Sequence, residues 1–107
     1  MVGTRRRGRK HVLWFHRLAR EENLEIAALC DVDEAVLGAQ AEYEKLSGQK
    51  ARLFTDIRKL LEDKTIDAVS YATPNHWHAL GAVWACQAGK DVILEKPASH
   101  TVLEAAR

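Results

Sequence analysis

No run in the 107-residue sequence is apolar over the ~20 residues needed to cross a bilayer, so a membrane is not an expected partner. The sequence has only two cysteines, Cys30 and Cys86, and no CxxC spacing. A disulfide framework or cysteine zinc site finds no basis there. Both thiols sit in apolar stretches and read as buried and reduced, as in a cytosolic protein. Charge of one sign is also missing: 16 Lys and Arg face 15 Asp and Glu, a net charge of +1, which gives no global pull towards nucleic acid or acidic surfaces. Arg5, Arg6, Arg7, Arg9 and Lys10 do crowd the start. No aromatic residue interleaves residues 3–10, however, and no basic stripe recurs, so no nucleic-acid partner is expected. An export signal is absent too. His11, His16 and Arg17 break the apolar segment after the basic start, and no small-residue cleavage site follows, which makes cytoplasmic localisation the expectation. The length allows one core, not a core plus an independent substrate domain.

What is present is alternation. Residues 10–21 have a helical pattern, and Leu24 to Cys30 is a short apolar run ending at Asp31, a buried strand. Asp33 is the expected cap of a helix from Glu34 to Leu46, with Val36, Ala39, Tyr43 and Leu46 on one face, stopped by Ser47-Gly48. Arg52 to Phe54 reads as a strand, and Thr55 or Asp56 caps a helix that turns Ile57, Leu60 and Leu61 to the core. Asp67 to Ala72 is the next strand. Pro74 ends it and Asn75 caps a helix with Trp77, Leu80, Trp84 and Ala88 on its stripe, closing at Gly89. Asp91 to Leu94 forms a further strand, and Ser99 is expected to cap a last helix. Strands spaced by helices imply parallel pairing through right-handed crossovers, an α/β fold with a doubly wound sheet.

A first strand is short of residues, because only Met1-Val2 precede the first helix. In a dinucleotide fold that strand is central. The pattern therefore predicts a sheet truncated in its first strand and before its last strands, with material missing at both ends. The strands ending at Cys30 and Ala72 would lose their shared neighbour, leaving a marginal, aggregation-prone chain.

Three places carry potential chemistry. Gly3-Thr4-Arg5-Arg6-Arg7-Gly8 stands where a phosphate loop belongs, with Arg5 in place of the middle glycine of G-x-G-x-x-G. Helix N–H groups and arginines suit phosphate, although a β-carbon at residue 5 would crowd a cofactor. Asp31 ends the second strand roughly 20 residues beyond Gly8, the spacing of an acid that hydrogen-bonds a ribose. Its charge would repel a 2′-phosphate, which favours NAD, while the nearby basic residues keep NADP open. Ala72-Thr73-Pro74-Asn75-His76-Trp77-His78-Ala79 and Glu95-Lys96-Pro97 follow two successive strands, at the carboxyl ends where open α/β sheets bind ligands. His76 and His78, two apart, point different ways and make a poor metal pair, so no metal is expected. Lys96, fixed before a proline, is the candidate for proton transfer or electrostatic catalysis.

These motifs, with ALCDVDEAVL at 28–37, DIRKLLEDKTIDAV at 56–69 and GKDVILEKPASHTVLEAAR at 89–107, resemble the glucose–fructose oxidoreductase and inositol dehydrogenase family, Gfo/Idh/MocA. The resemblance covers essentially the whole chain. It implies a Rossmann domain, here residues 1–107 as a partial dinucleotide-binding domain, ahead of a substrate domain that this chain lacks. It implies that Gly3, Arg5 and Gly8 approach the pyrophosphate and that Asp31 binds the adenosine ribose. Thr73, Pro74, Asn75 and His78 would line the cleft, with Glu95 and Lys96 near the nicotinamide ribose and ring. Lys96 would be the catalytic residue, and Lys96–Pro97 a cis bond. The implied substrate is a small polyol, cyclitol or sugar oxidised at a CH–OH group, and the full-length form is expected to be a homo-oligomer. A non-catalytic nucleotide-binding module is the alternative. Because the substrate side is not encoded here, the chain alone is expected to turn over no polyol with NAD. Appearance of NADH absorbance with any sugar or cyclitol would contradict this.

Overall fold

The computed structural model describes residues 1–33 and 39–106. Strands β1 (Ala28–Cys30), β2 (Arg52–Phe54), β3 (Ala68–Tyr71) and β4 (Asp91–Leu94) alternate with helices α1 (Arg6–Glu22), α2 (Ala39–Ser47), α3 (Ile57–Glu62), α4 (His78–Gln87) and α5 (Val102–Ala105). β1 pairs with β2 and β3 with β4, both parallel, with Leu29 opposite Leu53 and Ser70 opposite Ile93.

The expected gap between these pairs is partly filled. Val2 bridges Cys30 on one side and Tyr71 on the other, both in parallel sense. Val2 N–H donates to Ser70 O at 2.8 Å and Ala72 N–H to Val2 O at 2.9 Å; Cys30 N–H donates to Met1 O at 2.8 Å and Gly3 N–H to Cys30 O at 2.9 Å. The order is thus β2, β1, Val2, β3, β4. The expectation that the inner edges lie bare is corrected. Three residues suffice because the flanking strands are themselves only three and four residues long.

β1 is buried at every position and β3 at all but its first, as expected of a sheet covered on both faces, while successive side chains point to opposite faces. Ala28 and Cys30 pack with Leu60, Leu61, Val69, Tyr71 and Ala85 on the face of α3 and α4. Leu29 packs oppositely with Val12 of α1 and Tyr43 of α2. Burying side chains such as Leu29 or Leu60 contributes about 1.5–3 kcal/mol each. The doubly wound arrangement expected from the sequence is therefore present, and among the described residues no helix is long and apolar enough to cross a membrane.

Several local expectations change. The start of the second expected helix, residues 34–38, lies outside the described residues, and with it the test of Asp33 as cap. On its remaining face Tyr43 is buried but Leu46 is 47% exposed. Asp56 caps α3 as expected, its side chain accepting from Arg58 N–H. Asn75 caps nothing: Pro74 precedes a single 3₁₀ turn, Asn75–Trp77, with no side-chain cap bond. α5 is capped by Thr101, not Ser99. Thr101 accepts from Glu104 N–H, while the Glu104 carboxylate accepts from His100 N–H, a near relative of the capping box. Cys30 is buried, but Cys86 is exposed, and both are free.

The buried stripe of α4 is His78, Gly81 and Ala85, while Trp77 and Leu80 are 45% and 42% exposed. The helix is apolar on most sides, so periodicity alone points to no face. Contact with Tyr71 decides it, because a β-carbon at Gly81 would sit 2.6 Å from the Tyr71 ring. Gly81→Val is expected to destabilise the chain by about 1–3 kcal/mol through overpacking. Urea denaturation checks this, and the loss should shrink when Tyr71→Leu makes room.

Candidate functional site

The site begins with a turn that tolerates only glycine at two positions. Gly3 has φ +79°, and a β-carbon there would lie 2.8 Å from the Ala72 carbonyl group. A β-carbon on Gly8 would lie 1.7 Å from Gly3 O. The turn thus lies flat on the end of β3, with the first turn of α1 seated on it. Arg5 does not crowd this cradle. It is the N-cap of α1 with extended backbone, φ −76° and ψ 162°, and its guanidinium reaches outward to Asp33 at 3.0 Å. Arg6 follows with φ +33°, an uncommon conformation for a side chain, and starts the helix four residues earlier than the periodicity suggests.

α1 has no side-chain cap bond and no acid in its first turn; Arg6 and Arg7 stand there instead. Positive side chains at the positive end of a helix dipole are unfavourable unless an anion joins them. The glycine cradle and this bare, basic helix start together fit a phosphate group.

Beside the cradle lies a crevice of ≈ 550 Å³, within the range of small-molecule sites. Of the expected residues, Gly3, Asp31, Thr73 and Pro74 line it. Asp31 does more than wait for a ligand. Its Oδ2 accepts from Thr4 N–H at 2.9 Å and from the Thr4 hydroxyl at 3.3 Å, and its Oδ1 accepts from Asp33 N–H at 3.1 Å. The sequence reading missed the rest of the lining, which includes Val32, Thr55, Asp56, Arg58, Tyr71, Trp77, Gly81 and Trp84. The Tyr71 hydroxyl and Thr73 Oγ1 are buried with no hydrogen-bond partner, and burial pushes the Tyr71 phenol up. Unsatisfied buried hydroxyls are rare in folded proteins, and here both belong to residues lining the crevice.

Arg5, Gly8, Asn75, His78, Glu95 and Lys96 do not line this crevice. Asn75 is exposed as the first residue of the 3₁₀ turn. His78 joins the strand-end turn at Thr73 to the loop at Pro97. It is almost fully buried, with Nε2 2.9 Å from Thr73 O and Nδ1 2.6 Å from Pro97 O, so both ring nitrogens are engaged by protein. Glu95 and Lys96 follow β4 on the other side of the Gly3 turn. Glu95 N–H donates to Tyr71 O at 3.1 Å, Lys96 is exposed, and Lys96–Pro97 is cis. The histidine that sequence reasoning passed over is His11, buried on α1 with Nε2 2.6 Å from Glu95 Oε1. Its only sequence signal is a polar residue on the inner face of an amphipathic helix. Among the described residues no three His, Cys, Asp or Glu gather as a metal site.

The family model described as the oxidoreductase family, NAD-binding Rossmann fold (GFO_IDH_MocA), matches residues 1–107. The chain therefore belongs to the Gfo/Idh/MocA oxidoreductases, as their NAD-binding Rossmann domain. It is 34% identical over 108 residues to a glycosyl hydrolase family 109 protein of Shewanella sp. (strain ANA-3), covering 96% of this chain and 23% of that protein. It superposes on scyllo-inositol dehydrogenase from Lactobacillus casei, solved with bound NAD(H) and scyllo-inositol, with TM-score 0.84 and 25% identity over 98% of this chain and 29% of that one. The WlbA dehydrogenase from Bordetella pertussis, solved with NADH and UDP-GlcNAcA, matches with TM-score 0.80 and 29% identity over 99% of this chain and 31% of that one. The chain spans about a quarter of the length of the curated relatives it matches.

At the crevice rim, Arg58 Nε and Nη2 lie 3.0 and 2.7 Å from the Asp56 carboxylate, and Arg58 N–H donates to it at 2.9 Å. These bonds, side chain first, hold the Asp56 carboxyl down at about pKa 2. A carboxylate whose folded pKa is lowered stabilises the fold above its unfolded pKa of about 4, and that stabilisation fades as pH falls towards about 2. Asp56→Asn should lack this part of the acid dependence, seen as a flatter fall of the urea midpoint between those pH values.

Proposed function

We propose that this chain holds NAD for a dehydrogenase that oxidises a CH–OH group of a sugar, cyclitol or related alcohol, with residues 1–107 as the dinucleotide-binding part and a separate domain of a longer protein supplying the substrate side. The observation that carries the reading is the first turn of α1: uncapped, free of acid, flanked by arginines and seated on a glycine cradle that a β-carbon would fill. The NAD(H)-bound and NADH-bound relatives and the family description support the same choice.

In this reading Gly3, Arg5 and Gly8 frame the pyrophosphate, and Asp31 accepts from the adenosine ribose while opposing a 2′-phosphate. Thr73, Pro74 and Asn75 border the cofactor along the end of β3, and His78 holds that border to the loop after β4. Bound NAD supplies the hydride acceptor, chemistry that no side chain offers. Glu95 accepts from the nicotinamide ribose. Lys96, an exposed ammonium on a loop anchored at both ends, orients the reacting hydroxyl and helps remove its proton. The protein's remaining share is positioning and electrostatics. The reading extends to a cytoplasmic location and a homo-oligomeric full-length protein.

Trp77 and Trp84 line the crevice, so NADH binding to this chain is expected to change tryptophan emission saturably. Asp31→Ala should weaken NADH at least tenfold and narrow its advantage over NADPH. A folded circular-dichroism spectrum with no response to NADH would overturn the reading.

A further inference from the structure

One buried polar contact has no part in the function described so far. His11 of α1 is 6% exposed, and its ring spans two elements far apart in sequence. Nδ1 lies 3.0 Å from Ser70 Oγ on β3, and Nε2 lies 2.6 Å from Glu95 Oε1 just past β4. Arg7 Nε approaches the same oxygen at 3.5 Å. The His11 hydrogen bond is the first cause holding the Glu95 carboxyl below the usual range; the Arg7 and His11 charges and the Lys96 amide add to it.

The chemistry settles the direction of each bond. An ionised carboxylate only accepts, so the proton between His11 and Glu95 sits on Nε2. The Ser70 hydroxyl either donates or accepts, so the bond at Nδ1 is met whether the ring is neutral or charged. Ser, His and carboxylate in a row also resemble a hydrolytic triad. Ser70, however, is buried within β3 and does not line the crevice, so the row holds Glu95 and does not present a nucleophile.

Topology says which half of a dinucleotide this concerns. Asp31 follows β1 on one side of Val2, and Glu95 follows β4 on the other. With phosphates at the start of α1 and the adenosine at Asp31, the nicotinamide half extends over the ends of β3 and β4. We infer that His11 is a positioning residue for that half. It fixes the Glu95 carboxylate, on the residue that immediately precedes Lys96. His78 anchors the other end of the loop at Pro97 O. This inference rests on the cofactor reading above.

The test compares NADH with ADP, which lacks the nicotinamide half, on the 107-residue chain. His11→Leu should lose about tenfold in NADH affinity and keep ADP affinity within twofold. His11→Gln, whose amide still donates to Glu95, should recover most of the loss. If His11→Leu fails to fold, Ser70→Ala, which frees the ring but spares the Glu95 bond, should show a smaller loss confined to NADH. Equal losses for both ligands, or no loss for NADH, would overturn the assignment of His11 alone. Wild-type chain that is folded but binds neither ligand overturns the cofactor reading, and the role of His11 with it.

Discussion

Every feature that could receive a ligand in this chain depends on a short length of extended backbone, Met1 to Gly3. Its five hydrogen bonds, the Met1 amino group to Ala28 O included, are the links between the β1–β2 and β3–β4 pairs along the sheet. Each such bond adds only about 0.5–1.5 kcal/mol net, but leaving one end buried and unmade costs more, so the stretch works as a unit. Helices on both faces then clamp it. Val2 is buried in the core shared with α3 and α4, while Met1 packs towards α1 and α2. The chain leaves this stretch at Gly3, between the ends of β1 and β3, which is where a doubly wound sheet opens its binding crevice.

From that exit the geometry propagates by exclusion. Gly3 presses on the backbone of Ala72 and Thr73, so its turn can adopt one height above the sheet, and Gly8 presses on Gly3 O, so α1 can start at one distance. Neither contact is attractive in itself. Both remove alternatives, and the result is a helix start aimed at the crevice mouth. α1 then carries His11 to Ser70 and Glu95, which ties the loop after β4 to the same reference point. On the opposite face Tyr71 meets α4 at Gly81, and His78, three residues earlier on that helix, reaches Thr73 and Pro97.

Much of this was legible in the sequence, for definite reasons. The strands at 52–54 and 91–94 are short apolar runs bounded by turn residues, and Thr55-Asp56 sits where a cap is needed, a choice the structure settles on Asp56. Asp31 and Glu95-Lys96-Pro97 fall at the carboxyl ends of strands, a position that chain order alone gives. What stayed hidden depends on contacts across the fold. Trp77 and Leu80 look like core on a helical wheel, yet Gly81 sets the packed face because it alone admits the Tyr71 ring. Ser99 and Thr101 are both plausible caps, and the choice falls to Thr101 because Glu104 stands three residues on and completes the reciprocal bonding. His11 could not be paired with Glu95 from spacing, since 84 positions separate them. Arg5 looked like damage to a glycine loop, and only its extended backbone and its reach to Asp33 show why a side chain is tolerated there.

Asp31 shows how closely binding and folding are joined in this site. Its carboxylate accepts from two groups of Thr4 and from the amide of Asp33, so it ties the loop at the head of α1 to the end of β1. A carboxylate has about four acceptor positions, which leaves capacity for a ribose hydroxyl after these three bonds are made. The same negative charge thus braces the glycine turn at the head of α1, across a loop that carries three consecutive arginines. Those arginines attract any phosphate without distinction. Asp31 stands against them, and because it is bonded to the backbone of the loop, its position is as fixed as the sheet itself.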